Sequence, residues 1–403
     1  MAKKDKYLVG LDIGSTKTCV LLAELENEQV RFLALGAAES KGLRKGLIVN
    51  LDSTVSSIRR AVEEAESVAN IPVEAATIGV AGSHVRGVNS RGGIPLGPRS
   101  RDIERNDLRH AIDAARNVSL PDDREVLHVL PHEFIVDAQD GIRDPVGMVG
   151  QRLEANVHIV TSSIAATQNL VTAANKAGIL INDTVLEPLA AAEACLTQDE
   201  RELGCCLLDI GGGTTELIVY GGGVVRHTGA VAIGGDHFTN DLAVGLRTPI
   251  PEAEKIKRRH GCASANLLRQ DNSIEIASVG DRPPRTIFSR MLTDIIEPRA
   301  QELLALIADD LRRAGLDSQI PAGLVLAGGG ARLNGFAEFA EQGFHLPVRI
   351  VDPRGIQDLP EQVAQPEYAV AVGLVLYAAK ARRNAQQRSG TFVAKLKAMF
   401  AGA

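Results

Sequence analysis

Two short runs of this chain pair a carboxylate with a turn rich in glycine and hydroxyls, nearly two hundred residues apart. They are Leu11-Asp12-Ile13-Gly14-Ser15-Thr16-Lys17 and Leu208-Asp209-Ile210-Gly211-Gly212-Gly213-Thr214-Thr215. In each, an Asp closes an apolar stretch directly before the turn. Glycine lets backbone N–H groups approach an anion closely, Ser and Thr add donors, and a carboxylate at a strand end can hold a water-coated divalent metal. Two such turns facing each other would clamp a polyphosphate with its Mg²⁺. Asp12 and Asp209 would position the metal through water, and Ser15, Thr16, Lys17, Thr214 and Thr215 would contact phosphate, Lys17 as a point charge.

The elements that must carry these turns are duplicated too. After Asp12 the pattern predicts a strand Thr18 to Leu25, a turn at Asn27-Glu28 and a strand Val30 to Ala37; after Asp209 it predicts Glu216 to Tyr220, a Gly221 to Gly223 turn, and Val224 to His227. Each half then has an amphipathic helix, Thr54 to Ala69 and Leu292 to Ala314, followed by a strand ending in Ala-Gly, at Ala81-Gly82 and Ala327-Gly328. The expectation is a two-fold related pair of α/β halves around a cleft. A third turn, Gly328, Gly329 and Gly330, would let a purine and ribose lie on bare backbone, although glycine triplets also serve as plain turns.

Composition bounds the rest. At 403 residues and 45% apolar the chain can bury sizeable cores in two to four subdomains. A formal net charge of −6 argues against a general nucleic-acid binder. Cys19, Cys195, Cys205, Cys206 and Cys262 lack metal-ligand spacing and sit mostly in apolar stretches, which predicts buried reduced thiols. The nine His residues are scattered, and His128 and His132 flank Pro131 in a strand region, which does not suit a metal site. No apolar run follows Lys3, Lys4 and Lys6 or reaches the length of a span, so neither export nor a bilayer crossing is expected.

The order of these elements resembles the actin, Hsp70 and sugar-kinase ATPase superfamily. Its phosphate loops match Asp12 to Lys17 and Asp209 to Thr215, its adenosine loop matches Gly328 to Ala331, and its connecting helices match Glu187 to Ala192 and Ala369 to Gly373. About seventy residues between Gly82 and Val157 read as a small α+β unit: strand-like Arg86-Gly87-Val88, a loop Gly92 to Pro98, a helix Arg105 to Asn117, and strands Val126 to Pro131 and Glu133 to Asp137. That insertion point, with Lys41 to Ile48, Gly234 to Ala243 and Ile296 to Arg299, resembles the FtsA family of bacterial cell-division proteins, and more distantly the PilM family; Asp236 and Phe238 are local departures.

The resemblance implies an α/β, actin-like duplicated ATPase fold, with two large domains around a nucleotide cleft and a small inserted α+β domain in each. The boundaries expected are 1–83 with 161–198, the insertion 84–160, 199–235 with 300–380, the second small domain 236–299, a linker 381–390 and an amphipathic helix 391–403. It also implies ATP and Mg²⁺ as ligands, with hydrolysis weak at most. Glu187, before Pro188, would polarise an attacking water or simply complement its helix dipole. Gly235, Glu254 and Lys257 would touch the adenosine, although a charge pair three residues apart also just steadies a helix. Arg285, Arg290 and Arg299, near the start of the long helix with Arg282, would form either a groove for the C-terminal peptide of FtsZ or a solvated basic face.

Residues at the C-terminus carry a separate signal. After polar Arg382 to Gly390, the apolar Phe392, Val393, Leu396, Met399 and Phe400 fall on one helical face flanked by Lys395 and Lys397. Such a helix suits the plane of an anionic lipid surface, although a helix of this kind also docks on its own domain. It is too short to anchor firmly alone, so linkage in a polymer would matter. The function expected is therefore an ATP-binding protein that assembles into filaments on the cytoplasmic face of the membrane, tethers FtsZ at the septum, and meets later division proteins through residues 84–160. A PilM-like pilus-assembly protein and a small-molecule kinase are the alternatives; neither needs the tail.

Overall fold

The computed structural model describes residues 6–280 and 282–400, with the side chains of 386–400 left aside. Its frame is two five-stranded sheets of one topology. The first is built from β1 (Tyr7–Ile13), β2 (Lys17–Glu26), β3 (Gln29–Glu39), β4 (Ala75–Val80) and, beyond the insertion, a strand Leu180–Leu186. β1 is central, antiparallel to β2 and parallel to β4, so Asp12 sits near the end of the middle strand. Asn27 and Glu28 both adopt positive φ, the geometry that joins two right-twisted strands through two residues. α1 (Leu51–Ala69) covers this sheet with Val55, Ile58, Ala61, Val62 and Ala65 inward; Asn50 caps it by accepting from the Ser53 amide. The helix lies so close that a Cβ on Gly36 would come within 1.9 Å of the Ala61 carbonyl.

The inserted segment forms its own four-stranded sheet from β5 (Arg86–Pro95), β6 (Arg124–Val136), β7 (Gln139–Ile142) and β8 (Arg152–Ser163), in the order β7-β6-β8-β5, with α2 (Arg105–Arg116) against it. Two expectations change here. Gly92 to Pro95 belong to β5 and not to a loop, because Gly92 has no Cβ to strike Ala115 of α2, which would lie 2.1 Å away. The two strands expected around Pro131 are one strand, with an irregularity at His132 where the pairing to β8 shifts.

α3 (Ile164–Lys176), then β9 (Leu180–Leu186) and α4 (Glu187–Cys195), lead through α5 (Gln198–Leu203) into the second half. Its sheet comprises β10 (Cys205–Ile210), β11 (Thr215–Gly221), β12 (Val224–Val231), β15 (Leu324–Ala327) and β16 (Val348–Ile350). The order β12-β11-β10-β15-β16 repeats β3-β2-β1-β4-β9, and β10 again has its meander partner antiparallel and its other neighbour parallel. Between β12 and β15 lie α6 (Gly235–Gly245), α7 (Ile250–His260), the hairpin β13 (Ser273–Ile276) with β14 (Arg285–Phe288), and α8 (Ser289–Arg313). α8 starts earlier than expected and keeps Pro298 inside it, forgoing one backbone bond.

α9 (Phe336–Phe344) precedes β16, and α10 (Ala369–Phe400) closes the chain. α10 crosses α4 at the centre of the molecule, where a Cβ on Gly373 would come within 1.9 Å of the Ala190 carbonyl. Both helices belong to an apolar core that also holds Leu8 and Leu21 of the first sheet and Leu207 and Val325 of the second. α10 runs without a break through 381–390, where a linker was expected; Ala, Arg and Gln there are good helix formers and no proline interrupts them. The side chains of Phe392, Val393, Lys395, Leu396, Lys397, Met399 and Phe400 lie outside the described residues. All five cysteines are buried free thiols, and among the described residues no helix is long and apolar enough to cross a membrane.

Candidate nucleotide cleft

Each Asp turn is closed by the same hydrogen bond. The Gly14 amide donates to the Lys17 carbonyl at 3.0 Å, and the Gly211 amide to the Thr214 carbonyl at 2.9 Å. The turns face each other and touch: a Cβ on Gly212 would lie 2.0 Å from Thr16 Oγ1, and one on Gly213 2.6 Å from Ser15 Oγ. Glycine at 212 and 213 thus lets the second turn sit directly against the first turn's hydroxyls.

Behind the turns four carboxylates lie close together, largely shielded from solvent. Asp12, Asp209 and Glu216 are buried, and Glu187 at the start of α4 packs along Gly79. Burial pushes Asp12 up to about 6, with Lys17 opposing the shift. Burial, then the charge of Asp12, pushes Asp209 up to about 7. Burial and then Asp209 push Glu216 up to about 8, and one of its oxygens, Oε1, has no hydrogen-bond partner. Glu187 is raised well above the usual carboxylate range by burial and by Asp12, Glu216 and Asp209 in turn. Each carboxyl is short of positive charge, as a site that receives a hydrated divalent cation would be. Among the described residues no three His, Cys, Asp or Glu side chains are set to ligate a metal directly.

Lys17 lies with its Nζ 2.7 Å from the Glu367 carbonyl and 3.5 Å from the centre of the Tyr368 ring, just before α10. Thr214 is buried in the second turn, beside Glu216, whose raised carboxyl it pulls slightly back down. Thr215 departs from the expected phosphate set: it is fully buried, and its hydroxyl donates to the Ile233 carbonyl at 2.8 Å, because strand alternation turns it into the sheet. Thr16 reaches across the cleft to Asp236 at 3.4 Å. The Gly235 amide donates to the Gly211 carbonyl, and Lys257 Nζ donates to the Gly235 carbonyl at 2.9 Å and pairs with Glu254 at 2.6 Å. Gly328 has positive φ and would bring a Cβ to 2.4 Å from Asp209 Oδ1; Gly330 is pressed on Ile210, and Gly329 lies beside Glu367. The structure thus gathers the two turns, the Gly235–Glu254–Lys257 set and the third turn into one cleft.

The arginines form no such group. Arg299 is forked onto Asp241 at 2.7 and 3.1 Å, Arg290 pairs with Asp294 at 3.2 Å, and Arg285 donates to the Leu246 carbonyl. Each serves its own domain. Glu216 and Tyr368 were missed from sequence. The only sign of Glu216 was an acid inside a strand whose neighbours Leu217, Ile218 and Val219 are all apolar.

A duplicated α/β frame with acid-backed turns in the cleft defines the actin-like class of proteins. Among solved structures, the chain shares its fold with a PilM–PilN type IV pilus biogenesis complex, with a TM-score of 0.67 at 18% identity over 92% of this chain and 98% of the other. It shares it also with MreB5 of Spiroplasma citri bound to ADP, with a TM-score of 0.57 at 14% identity over 94% and 98%. Sequence comparison narrows the class. The profile of "Cell division protein FtsA" matches residues 206–373, and that of the "SHS2 domain inserted in FTSA" matches 82–161. Cell division protein FtsA of Pseudomonas aeruginosa is 44% identical over 92% of this chain and 89% of its own length, and that of Escherichia coli K12 is 37% identical over 94% and 92%. The chain belongs to the FtsA family of cell division proteins. PilM is a neighbour in fold alone.

Proposed function

We propose that this cell-division protein binds MgATP between its two turns and uses the bound nucleotide to assemble into filaments at the inner membrane face. The observation that carries the reading is the touching pair of turns backed by Asp12 and Asp209, buried together and charge-starved. Ser15, Thr16, Lys17 and Thr214 would hold phosphate, and Asp12 and Asp209 would order the metal's water shell. Gly235, Glu254, Lys257 and Gly328 to Gly330 would flank the adenosine. Glu187 would orient a water for slow hydrolysis. When bound, Mg²⁺ supplies the positive charge that lets these carboxyls ionise.

The family supports the remaining parts of the reading. Filaments would recruit FtsZ through its C-terminal peptide, residues 84–160 would meet later division proteins, and the tail Phe392 to Phe400 would hold the assembly on anionic lipid. Weak single tethers become firm when a polymer links them. The test is co-sedimentation with anionic vesicles, with and without ATP. Wild-type protein should pellet with vesicles, more so with ATP, while a Phe392→Glu, Phe400→Glu variant should stay in the supernatant and still bind nucleotide. Equal pelleting of the variant would remove the membrane role of the tail.

A further inference from the structure

We propose that the inserted unit is a latch laid across the cleft, which must release the second half when a nucleotide parts the two turns. The proposal rests on the nucleotide reading above and adds a coupling to it. With a would-be Cβ of Gly212 only 2.0 Å from Thr16, the turns leave no width for a polyphosphate, so binding requires the halves to separate. Besides the backbone pairing of Gln357 with Val30 and Phe32 of β3, two physically different contacts join them. At the α4–α10 crossing, Gly373 lies against Ala190 in an apolar core, a tight contact that suits a pivot.

The other joint is the inserted unit itself. Both its ends enter the first half, yet its sheet rests on the second. Arg143 forks onto Glu202 of α5 at 2.8 and 2.7 Å and donates to the Gly222 carbonyl at 2.8 Å. Asn89 reaches the Arg226 carbonyl at 3.5 Å. His158 shares hydrogen bonds with Asn89 at 2.6 Å and with Thr228 of β12 at 2.8 Å. Gly87 brings β5 against Thr228, where a Cβ would lie 2.5 Å from its hydroxyl. The seam adjoins the cleft through a cavity of about 10 Å³, whose wall includes Gly82, Leu186, Glu216 and Thr228.

The Arg143 and Glu202 side chains are 61% and 39% exposed, so water can replace that pair as the seam opens, while the His158–Thr228 bond is buried. A body fixed to one half and resting on the other cannot stay in place on both while they rotate apart. Either the seam breaks or the unit swings on its two tethers, and the tethers are covalent. Seam bonds therefore oppose nucleotide entry, and entry frees the inserted unit's inner face.

Two variants test this. In Arg143→Cys, Glu202→Cys protein, joined by a short bis-maleimide, the seam cannot open; the native thiols are buried and spared. Its affinity for Mg-AMPPNP, measured by calorimetry, should fall by about 10-fold or more relative to the same protein capped with N-ethylmaleimide. Conversely, Arg143→Glu should bind roughly 3-fold tighter or better, and the charge swap Arg143→Glu, Glu202→Arg should return affinity toward wild type. Crosslinked protein that binds as well as capped protein would overturn the latch and leave the nucleotide site standing. Wild-type protein that binds no nucleotide would overturn both.

Discussion

Burial acts on two regions of this molecule with opposite results. In the cleft it raises Asp12, Asp209 and Glu216 to about 6, 7 and 8, and leaves Glu216 Oε1 without a partner. At the seam it lowers His132 to about 4 and His158 to about 3. Neutral His158 is nonetheless satisfied, bonded on both ring nitrogens by Asn89 and Thr228, whereas His132 Nε2 has no partner. At the seam His158 pairs both its ring nitrogens within the protein; in the cleft the buried acids crowd one another and Glu216 Oε1 is left without a partner. That contrast separates what stabilises the fold from what is kept for a ligand.

The largest test of the contrast is Asp209→Ala. Nucleotide affinity should fall about 100-fold, near 3 kcal/mol, because the metal's water shell loses an anchor. The ligand-free protein should melt no lower than wild type, since a desolvated carboxylate has been removed. Calorimetric titration and a melting curve on one sample measure both; an affinity within a few fold of wild type would refute the role of the cleft. His158→Ala should do the reverse. Losing a buried ring and stranding Thr228 should cost about 2–3 kcal/mol of stability, with nucleotide still bound. An unchanged unfolding midpoint would mean that the seam holds nothing.

How far the sequence carried these regions follows from the same physics. Asp12 and Asp209 stood out because the acid and its glycine turn occur twice at matching places, where a single one is common, and the duplicated meanders were legible because strand period and turn residues are local. The seam was not, since His158 finds Thr228 seventy residues away in the other half. Thr215 looked like a phosphate ligand beside Thr214; strand alternation, which spacing alone did not resolve at the turn, hides it on Ile233. Gly92 read as loop because glycine marks turns, whereas here it makes room for Ala115. The stretch before Gly390 read as a linker from its polarity, although the same residues favour helix.

Glu216→Gln should give the smallest effect, and its sign depends on pH. A carboxyl raised from about 4 in the unfolded chain makes the folded state hold more protons between the two values. Its stabilisation is complete below about pH 4 and is lost as pH rises through the folded values, from about 6 at Asp12 to about 8 at Glu216. Buried histidines run the other way: His158 and His132 favour the fold above about pH 6.5, and that contribution is lost as pH falls toward 3 to 4. Between about pH 4 and 6.5 the two sets oppose each other, and above that, where the histidines no longer titrate, metal-free protein should lose stability as the acids ionise. Gln cannot ionise, so the variant should gain about 1–2 kcal/mol at pH 8, gain nothing at pH 4, and keep the acid-side slope set by the histidines. Urea melts at pH 4, 6 and 8 measure all three. A gain that is equal at every pH would mean that Glu216 was destabilising through packing and not through its charge, and the cleft would lose its claim to differ from the seam in kind.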